Sequence, residues 1–347
     1  MKVLILGVNG FIGHHLTKLL LAETDWEVYG MDLATDKLDE SLGHARFHFV
    51  EGDITINKEW IEYHIKKCDA ILPLVAIATP ASYVKEPLRV FELDFEENLK
   101  LVRQCVKYKK WLLFPSTSEV YGMCPDQEFN EETSNLVVGP INKQRWIYSI
   151  SKQLMDRVIY AYGIHEKLKY TCFRPFNFVG PRLDRLNIDI EKEGSSRVAT
   201  QFMSNLVTGQ PIKLVDGGGQ RRAFLYIEDG VRGIYDMMRQ PEKSQGEIFN
   251  LGNPTAECSM RELAEKMQAL FEAHPKRPKG VKKSPIIDVP SGEYYGAGYQ
   301  DMDRRVPSIK KMESVLGWKP RVGLDDAIAR TVDAFLDELP ADYTPPA

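Results

Sequence analysis

Hydrophobic residues in the first half of the chain occur in short runs, separated by longer stretches with apolar positions at helical spacing. Short apolar runs indicate buried strands, and the longer periodic stretches indicate helices packed on them. The predicted strands are Val3–Leu6, Glu27–Met31, Arg46–Val50, Ala70–Val75, Trp111–Ser116 and Tyr170–Arg174. The predicted helices between them are Ile12–Ala22, Lys58–Lys66, Glu97–Tyr108 and Ser149–Tyr162. This alternation predicts βαβ units and an α/β fold with a Rossmann-type, doubly wound parallel sheet.

The pattern loosens after about Pro175, where segments rich in Gly, Pro, Arg and Asp interrupt the helices. The helices predicted in this part are Val198–Thr208, Ile227–Arg239, Ser259–His274 and Leu324–Leu336. We therefore expect a smaller C-terminal part that holds a substrate. The predicted organisation is a Rossmann domain over residues 1–175 with about 224–252 returning to it, a substrate-binding domain over 176–223 and 253–340, and a flexible tail over 341–347.

Composition narrows the class of protein. The 347 residues are 43% hydrophobic and 27% charged, and 45 basic against 49 acidic residues give a net charge of −4, so charge does not favour nucleic acid or an anionic membrane as a partner. The apolar run Val3–Val8 is too short for a membrane span or a signal peptide. Five cysteines without a Cys-x-x-Cys pair favour a reducing compartment over disulfides or a zinc site. We expect a cytoplasmic protein without a bound metal.

A glycine motif follows the first predicted strand and opens the first helix. It contains Gly7, Gly10 and Gly13, with Phe11 and Ile12 between the last two. Glycine at these positions permits a tight turn, close approach of a pyrophosphate to backbone N–H groups, and close packing of helix on strand. Three glycines could also form only a turn, so the prediction of a dinucleotide site depends on the acidic residues that follow.

Asp32 ends the second predicted strand, nineteen residues after Gly13. A carboxylate there can bond the ribose diol of an adenosine and repel a 2′-phosphate, which favours NAD over NADP, although an acid after a strand can also be a helix cap. Asp53 and Ile54 follow the third predicted strand. They are candidates for contact with the adenine edge, and a simple turn aspartate is the alternative.

Tyr148 and Lys152 form a Tyr-x-x-x-Lys pair, whose spacing places both side chains on one face of a helix. The ammonium is expected to lower the pKa of the phenol from about 10, helped by a positively charged nicotinamide. An ionised tyrosine can then take the proton of an alcohol while hydride leaves the same carbon.

The same spacing occurs a second time, at Tyr63 and Lys67, so the pattern alone is not specific. Position separates the two pairs. Tyr148 comes thirty residues after Ser118, which lies just beyond a predicted strand, and active groups of parallel sheets gather outside the carboxyl ends of the strands. The Tyr63 pair has no such neighbour and is predicted to lie on a solvated helix face.

Together with the segment Pro115–Gly122 (PSTSEVYG), these motifs resemble the extended short-chain dehydrogenase/reductases that act on nucleotide sugars. Further segments extend the resemblance over nearly the whole chain and make it similar to the UDP-glucuronic acid decarboxylases, including the decarboxylase half of the bifunctional polymyxin-resistance enzymes. We expect a stand-alone decarboxylase, because the formyltransferase half has no counterpart here. The further segments are Lys143–Trp146, Arg174–Asn177, Gly180–Asp184, Asp216–Gly218 and Arg304–Ser308.

The resemblance implies NAD-dependent oxidation of UDP-glucuronic acid at C4. The resulting ketone is β to the carboxyl carbon, and β-keto acids lose CO2 readily, which leaves a UDP-4-keto-pentose. Tyr148 would be the base, Lys152 would hold its charge, and Ser118 or Thr117 would bond the same hydroxyl. A relative that reduces the keto sugar in place would be a UDP-xylose synthase, and the motifs leave this alternative open.

The resemblance also implies that Glu119 and Arg305 assist the loss of CO2, with Arg305 as a proton donor to the enolate carbon. Arginine is a poor acid, so electrostatic stabilisation of the enolate is the easier role. For Glu119 the alternative role is that of a helix cap. The residues that match the substrate contacts of the family are Ala78, Tyr83, Arg145, Asn177, Arg182, Lys213, Arg222 and Tyr299.

Other members of the family are less favoured. UDP-apiose/xylose synthases carry Cys at the position of Ser118, 4,6-dehydratases have an Asp-Glu pair there, and 4-epimerases usually lack the acid at Glu119. A non-catalytic NAD-binding scaffold would be expected to have lost at least one of Ser118, Tyr148 and Lys152. All three are present in this sequence. By analogy, the apolar faces of helices Glu97–Tyr108 and Ser149–Tyr162 favour a homodimer.

Overall fold

The computed structural model describes residues 1–188 and 196–345. The strands are β1 (Lys2–Leu6), β2 (Glu27–Asp32), β3 (Phe47–Glu51), β4 (Ala70–Pro73), β5 (Trp111–Pro115), β6 (Tyr170–Pro175), β7 (Phe178–Val179), β8 (Ile212–Val215), β9 (Arg221–Ala223), β10 (Leu225–Tyr226), β11 (Glu247–Leu251), β12 (Glu257–Ser259), β13 (Ile286–Val289) and β14 (Arg304–Arg305). The α-helices are α1 (Phe11–Glu23), α2 (Lys58–Lys67), α3 (Pro80–Lys85), α4 (Pro87–Phe91), α5 (Asn98–Lys107), α6 (Trp146–Glu166), α7 (Val198–Thr208), α8 (Ile227–Arg239), α9 (Pro241–Ser244), α10 (Met260–Ala273), α11 (Ser291–Tyr294) and α12 (Leu324–Asp337). Two π-helical segments (Glu92–Glu97 and Met312–Leu316) and two 3-10 turns (Ser118–Tyr121 and Asp216–Gly218) complete the set.

A seven-stranded parallel sheet in the order β11-β6-β5-β4-β1-β2-β3 forms the centre of the fold, which confirms the predicted Rossmann-type architecture. All six strands predicted from the first half are present, with ends shifted by one or two residues. The seventh, β11, comes from the later part of the chain and pairs with β6. The division into two domains stays a prediction.

Strand β1 shows why the sheet is doubly wound. Its apolar residues are fully buried, with Val3 and Ile5 in one hydrophobic cluster and Leu4 and Leu6 in another. Because successive side chains of a strand point to opposite faces, both faces of the sheet must be covered. Helices α1 and α8 pack against each other with the first cluster, and α2, α5 and α6 contribute to the second.

The helix predicted over Glu97–Tyr108 begins earlier than the sequence pattern indicates. Helix α4 runs without a break into the π-helical segment Glu92–Glu97, which continues into α5. A π-helix inserts an extra residue into the turn, and such bulges are frequent at functional sites. In this protein the segment directs Asp94 into the interior.

Short sheets in the later part of the chain bring basic residues towards the end of the main sheet. Strand β9 pairs with β12 on one side and β14 on the other, and the register places Arg222 beside Arg305. Two further pairs, β13 with β8 and β10 with β7, complete this part. The pairing aligns residues that lie far apart in the sequence.

The predicted tail is only partly described. The Tyr343 hydroxyl donates a hydrogen bond to the Val207 carbonyl (3.1 Å), while residues 346–347 lie outside the described part. All five cysteines are buried and free. Among the described residues, no helix combines the length and apolarity that a membrane crossing needs.

A buried ion pair joins α6 to the two strands beneath it. The Asp156 carboxylate of α6 accepts hydrogen bonds from the Arg174 guanidinium of β6 (2.9 Å) and from the Ser116 hydroxyl (2.8 Å), which follows β5. Arg174 also donates to the Tyr121 hydroxyl (2.8 Å). All four side chains are buried, so the pair holds α6 in a fixed orientation over the ends of the strands.

The Arg174→Met variant tests the weight of this pair. Removing the guanidinium leaves the Asp156 carboxylate buried without a cation, and we expect the free energy of unfolding to fall by about 3–5 kcal/mol, measured by urea denaturation. Lys266→Met is the control, because it breaks the largely exposed ion pair with Asp325 (2.6 Å) and should cost less than about 1 kcal/mol. Equal losses in the two variants would contradict the role given to the buried pair.

Candidate active site

A cavity of about 330 Å³ opens at the carboxyl ends of β4, β5 and β6. Its wall includes residues that follow each of these strands, such as Ala76 after β4, Thr117 after β5 and Asn177 after β6. Open α/β sheets bind ligands at this edge, where the loops that follow the strands converge. Tyr148, Lys152, Ser118, Thr117, Glu119 and Arg305, which are the six catalytic residues predicted from the sequence, all line this cavity.

Tyr148 lies in the first turn of α6 and is buried. Its ring stacks on that of Tyr83, with centroids 4.6 Å apart and planes 6° from parallel. The Thr117 side chain lies close enough to the Tyr148 hydroxyl to lower the pKa of the phenol. These two contacts fix the position of the phenol in the cavity.

Lys152 lies one turn further along α6 and is also buried. Its ammonium donates to the Pro115 carbonyl (3.2 Å), pairs with the Asp94 carboxylate (3.5 Å) and lies 5.9 Å from the centroid of the Tyr148 ring. Asp94 comes from the π-helical segment and is fully buried. The ammonium is therefore balanced by a carboxylate within the protein.

The pKa of the Tyr148 phenol is raised above its usual range. Burial is the largest cause, and the Asp94 and Glu119 carboxylates raise the pKa further, while the Thr117 hydrogen bond and Arg305 lower it. The Tyr-x-x-x-Lys spacing predicts instead that Lys152 lowers this pKa. The groups of the protein have the opposite net effect, because burial dominates and Asp94 balances the ammonium.

A second group of charges is centred on Glu119. One carboxylate oxygen accepts from Arg145 (2.6 Å), and the other pairs with Arg305 (2.6 Å), which also donates to the Ser118 hydroxyl (3.2 Å). Burial alone would raise the pKa of Glu119, but the two guanidinium groups outweigh it and lower the pKa to about 2. Glu119 is therefore ionised at neutral pH. Both carboxylate oxygens contact guanidinium groups, whereas a helix-capping carboxylate accepts from backbone N–H groups.

Asp301 connects Arg145, one of the two partners of Glu119, to a third arginine. Its carboxylate pairs with Arg222 (2.7 Å) and lies 3.4 Å from Arg145. Three guanidinium groups against two carboxylates leave this arginine cluster (Arg145, Arg222, Arg305, Glu119 and Asp301) with one net positive charge. A buried net positive charge at a cavity wall favours an anionic ligand.

Seven of the eight residues predicted to contact the substrate line the cavity, and one does not. Arg182 lies outside the lining: its guanidinium pairs with Asp39 and donates to the Lys37 carbonyl (2.9 Å), so the structure does not bring it to the other seven. The seven that line the cavity are Ala78, Tyr83, Arg145, Asn177, Lys213, Arg222 and Tyr299.

The glycine motif forms a cradle between β1 and α1. Gly7 has a φ of +87°, and a Cβ on Gly13 would lie 2.4 Å from the Gly7 carbonyl oxygen, so glycine is required at both positions. The N-terminal turn of α1 begins at Phe11, and Phe11 and Ile12 line the cavity. This open backbone at a helix N-terminus fits the pyrophosphate of a dinucleotide.

Asp32 lies beside the cradle at the end of β2. Its carboxylate accepts from the backbone N–H groups of Asn9 (2.8 Å) and Leu33 (2.7 Å), and burial raises its pKa. Asp53 instead accepts from the Thr55 backbone (2.7 Å) and hydroxyl (2.8 Å), as a turn aspartate does, and Ile54 packs in a hydrophobic cluster. Contact of Asp53 and Ile54 with adenine stays a prediction.

The motifs do not indicate two further acids that balance the basic residues, the buried Asp94 and the partly buried Asp301. Asp301 lies between Tyr299 and Arg305, which both match family positions, so its location was a usable signal. Asp94 belongs to no motif. It is one of several acids in its segment, and the sequence does not reveal the π-helical turn that buries this one. Tyr63, from the second Tyr-x-x-x-Lys pair, is 59% exposed on α2, in agreement with the predicted solvated helix face.

Comparison with known proteins gives the family. Residues 3–252 match the NAD dependent epimerase/dehydratase family. The crystal structure of the PbgP3 protein from Burkholderia pseudomallei is similar over 97% of this chain and 96% of that one, with 54% identity and a TM-score of 0.88.

Two further structures share the fold. The UDP-glucose 4-epimerase of Thermus thermophilus, solved with NAD, is 26% identical over 98% of this chain and 100% of that one, with a TM-score of 0.79. The UDP-glucuronic acid 4-epimerase of Bacillus cereus, solved with UDP-glucuronic acid and NAD, is 21% identical over 97% and 99%, with a TM-score of 0.80. The chain therefore belongs to the NAD-dependent epimerase/dehydratase family, within the extended short-chain dehydrogenase/reductases, and its cofactor is NAD.

Proposed function

We propose that this protein is an NAD-dependent UDP-glucuronic acid decarboxylase, which oxidises C4 of the sugar and releases CO2 to leave a UDP-4-keto-pentose. One observation carries the proposal: the Arg305 guanidinium bridges the Ser118 hydroxyl (3.2 Å) and the Glu119 carboxylate (2.6 Å) in the cavity that also contains Tyr148. A cation is thereby fixed beside the groups that would hold the C4 oxygen.

The first step is oxidation at C4. Bound NAD supplies the acceptor for the hydride that leaves C4. Tyr148, as the phenolate, takes the proton of the C4 hydroxyl, and Ser118 and Thr117 donate or accept hydrogen bonds that orient this hydroxyl. Lys152 holds a positive charge behind the phenolate.

The second step is loss of CO2 from the β-keto acid. The bond between C5 and the carboxyl carbon breaks, and its electrons form an enolate whose negative charge rests on the C4 oxygen. Arg305, held by Glu119, stabilises that charge as it develops, and such fixed donors contribute several kcal/mol to catalysis. Because guanidinium is a poor acid, we assign Arg305 this electrostatic role and not proton donation. The enolate carbon takes up one proton, which balances the proton removed from the hydroxyl.

The charge of the site supports an acidic sugar nucleotide. The arginine cluster carries one net positive charge, and Lys213 adds a basic side chain to the cavity wall. UDP-glucuronic acid brings a diphosphate and a carboxylate, both anionic. Tyr299 lies against Arg145, with 5.6 Å between the guanidinium carbon and the ring centroid, and closes this side of the cavity.

The product distinguishes this function from its neighbours in the family. A 4-epimerase returns the hydride to the ketone and builds up no enolate, so it does not need the cation at Arg305 for chemistry. A UDP-xylose synthase loses CO2 by the same step and then reduces the ketone in place. The proposed decarboxylase differs from a UDP-xylose synthase in whether the 4-keto-pentose leaves before the reduced cofactor returns its hydride.

The test is incubation of the purified protein with NAD and UDP-glucuronic acid, with NADH absorbance, CO2 and sugar products measured together. We expect CO2 and NADH in equal amounts, because the 4-keto-pentose leaves before it is reduced. CO2 with little NADH would identify a UDP-xylose synthase. Release of no CO2, with inversion at C4, would contradict the proposal and identify an epimerase.

Tyr148→Phe tests the base. Loss of the hydroxyl should lower turnover by about 100-fold or more, since general bases contribute that much, and should leave NAD binding, measured by calorimetry, unchanged. Tyr63→Phe is the matched control, because it alters the exposed member of the other Tyr-x-x-x-Lys pair and should keep full activity. Normal turnover in Tyr148→Phe would show that another group is the base.

Glu119→Gln tests the group that holds Arg305. We expect release of CO2 to slow about tenfold or more while oxidation at C4 and NAD binding change less, because Arg305 loses the contact that fixes its position. Asp301→Asn is the control: it makes the same change in the net charge of the cluster, but Asp301 contacts Arg222 and Arg145. If both variants slow CO2 release equally, net charge and not the Glu119 contact is responsible.

A further inference from the structure

Asp94 is a fully buried carboxylate in the wall behind the candidate base. It lies on the π-helical segment, where one carboxylate oxygen (Oδ2) accepts from the Ile77 backbone N–H (3.0 Å). Within the described part of the chain, the other oxygen (Oδ1) has no hydrogen-bond partner and instead faces the Lys152 ammonium at 3.5 Å. Burying a carboxylate is costly, so its charge needs this cation.

The surroundings of Asp94 contain few other charges. Helix α6 contributes Lys152 and Tyr148, and helix α3 contributes Tyr83, whose hydroxyl also experiences the field of Asp94. On the opposite side of Tyr148, Glu119 from the turn after β5 and Arg305 from β14 act on the phenol with opposite signs. Asp94 and Lys152 therefore form a buried ion pair close to Tyr148, and the pair has no net charge.

We propose that Asp94 is a positioning residue for the Tyr148–Lys152 pair: its carboxylate neutralises the Lys152 ammonium, so that Lys152 by itself does not ionise Tyr148. The tyrosine then remains a phenol until additional positive charge enters the site. This assigns to Asp94 control of the pH at which the base becomes active. The inference rests on the proposed role of Tyr148 as the base and does not depend on which sugar is bound.

The local backbone supports a specific placement of Asp94. The π-helical turn is held by Asn98, a buried side chain whose amide donates to the Leu93 carbonyl (2.9 Å). The neighbouring carboxylate Glu97 forms ion pairs with Lys58 and Lys100 at the protein surface, and Glu96 is exposed. Of these neighbouring acids, Asp94 alone is directed at Lys152.

The sign of the effect follows from the charges. Burial raises the pKa of Asp94 to about 6, while Lys152 and the Ile77 hydrogen bond lower it. The carboxylate is therefore ionised at neutral pH, where it opposes ionisation of Tyr148. Removing its charge stabilises the phenolate, which should lower the pKa of Tyr148 and extend activity to lower pH.

The first experiment detects the pair without any substrate. Protein labelled with carbon-13 in aspartate is titrated by NMR, and the Asp94 carboxyl signal is identified by its loss in Asp94→Glu. We expect a midpoint near pH 6 in the wild type and a midpoint about one unit or more higher in Lys152→Met, because an adjacent cation favours the ionised form. An identical midpoint in the two proteins would overturn the proposal, whatever the enzyme's substrate.

The second experiment compares the pH dependence of kcat/KM in Asp94→Asn, Glu96→Gln and the wild type. Asparagine keeps the shape of the side chain and removes its charge, so the acidic limb should move to lower pH by about one unit. Glu96→Gln removes an exposed carboxylate from the same segment and should reproduce the wild-type profile.

An acidic limb that stays in place in Asp94→Asn, even with reduced activity, would give Asp94 a purely structural role and overturn the inference. If UDP-glucuronic acid gives no turnover in the wild type, the proposed function fails, while the NMR titration still tests the Asp94–Lys152 pair on which the inference depends. The two proposals can therefore fail separately.

Discussion

Buried charge must be compensated inside the protein, and this constraint shapes the whole candidate site. Arg145, Arg305 and Lys152 are all buried, and each has a carboxylate within 3.5 Å. An uncompensated charge in such a place would cost several kcal/mol. The acids Glu119 and Asp94 are thus as necessary to the site as the basic residues that the motifs indicate.

The compensation differs on the two sides of Tyr148. Behind the phenol, the Asp94–Lys152 pair is neutral, whereas the arginine cluster in front of it keeps one net positive charge. The front therefore favours an anionic ligand, whereas the Asp94 carboxylate at the rear opposes ionisation of the phenol. The buried pair of Arg174 with Asp156 holds α6 on the sheet and so keeps Tyr148 between these two groups.

The family assignment does not by itself select a reaction. Epimerases from two organisms have the same fold over nearly the whole chain, and one of them was solved with UDP-glucuronic acid. In the proposed reaction, binding of NAD depends on the cradle around Gly7, and oxidation at C4 depends on the Tyr148 pair. The function proposed above assigns the loss of CO2 to Glu119 and Arg305, which lie at the front of the phenol.

The sequence by itself determined the features that depend on short-range spacing. Periodicity located the six strands of the first half and helices such as Val198–Thr208, and the interval from Tyr148 to Lys152 predicted one helix face. Gly7 and Gly13 could be assigned because their backbone geometry is a local property. The pair of Ser118 with Tyr148 followed from one general rule about the edge of a parallel sheet.

Only the tertiary structure decided which charged residues meet. Arg305 reaches Ser118 across 187 positions of sequence through the pairing of β14 with β9, and Asp94 reaches Lys152 through a π-helical turn. Arg182, which matches the family as well as Arg222 does, pairs instead with Asp39 outside the cavity. Such contacts depend on the paths of loops and on the compensation of buried charge, and neither is encoded in the spacing of residues along the chain.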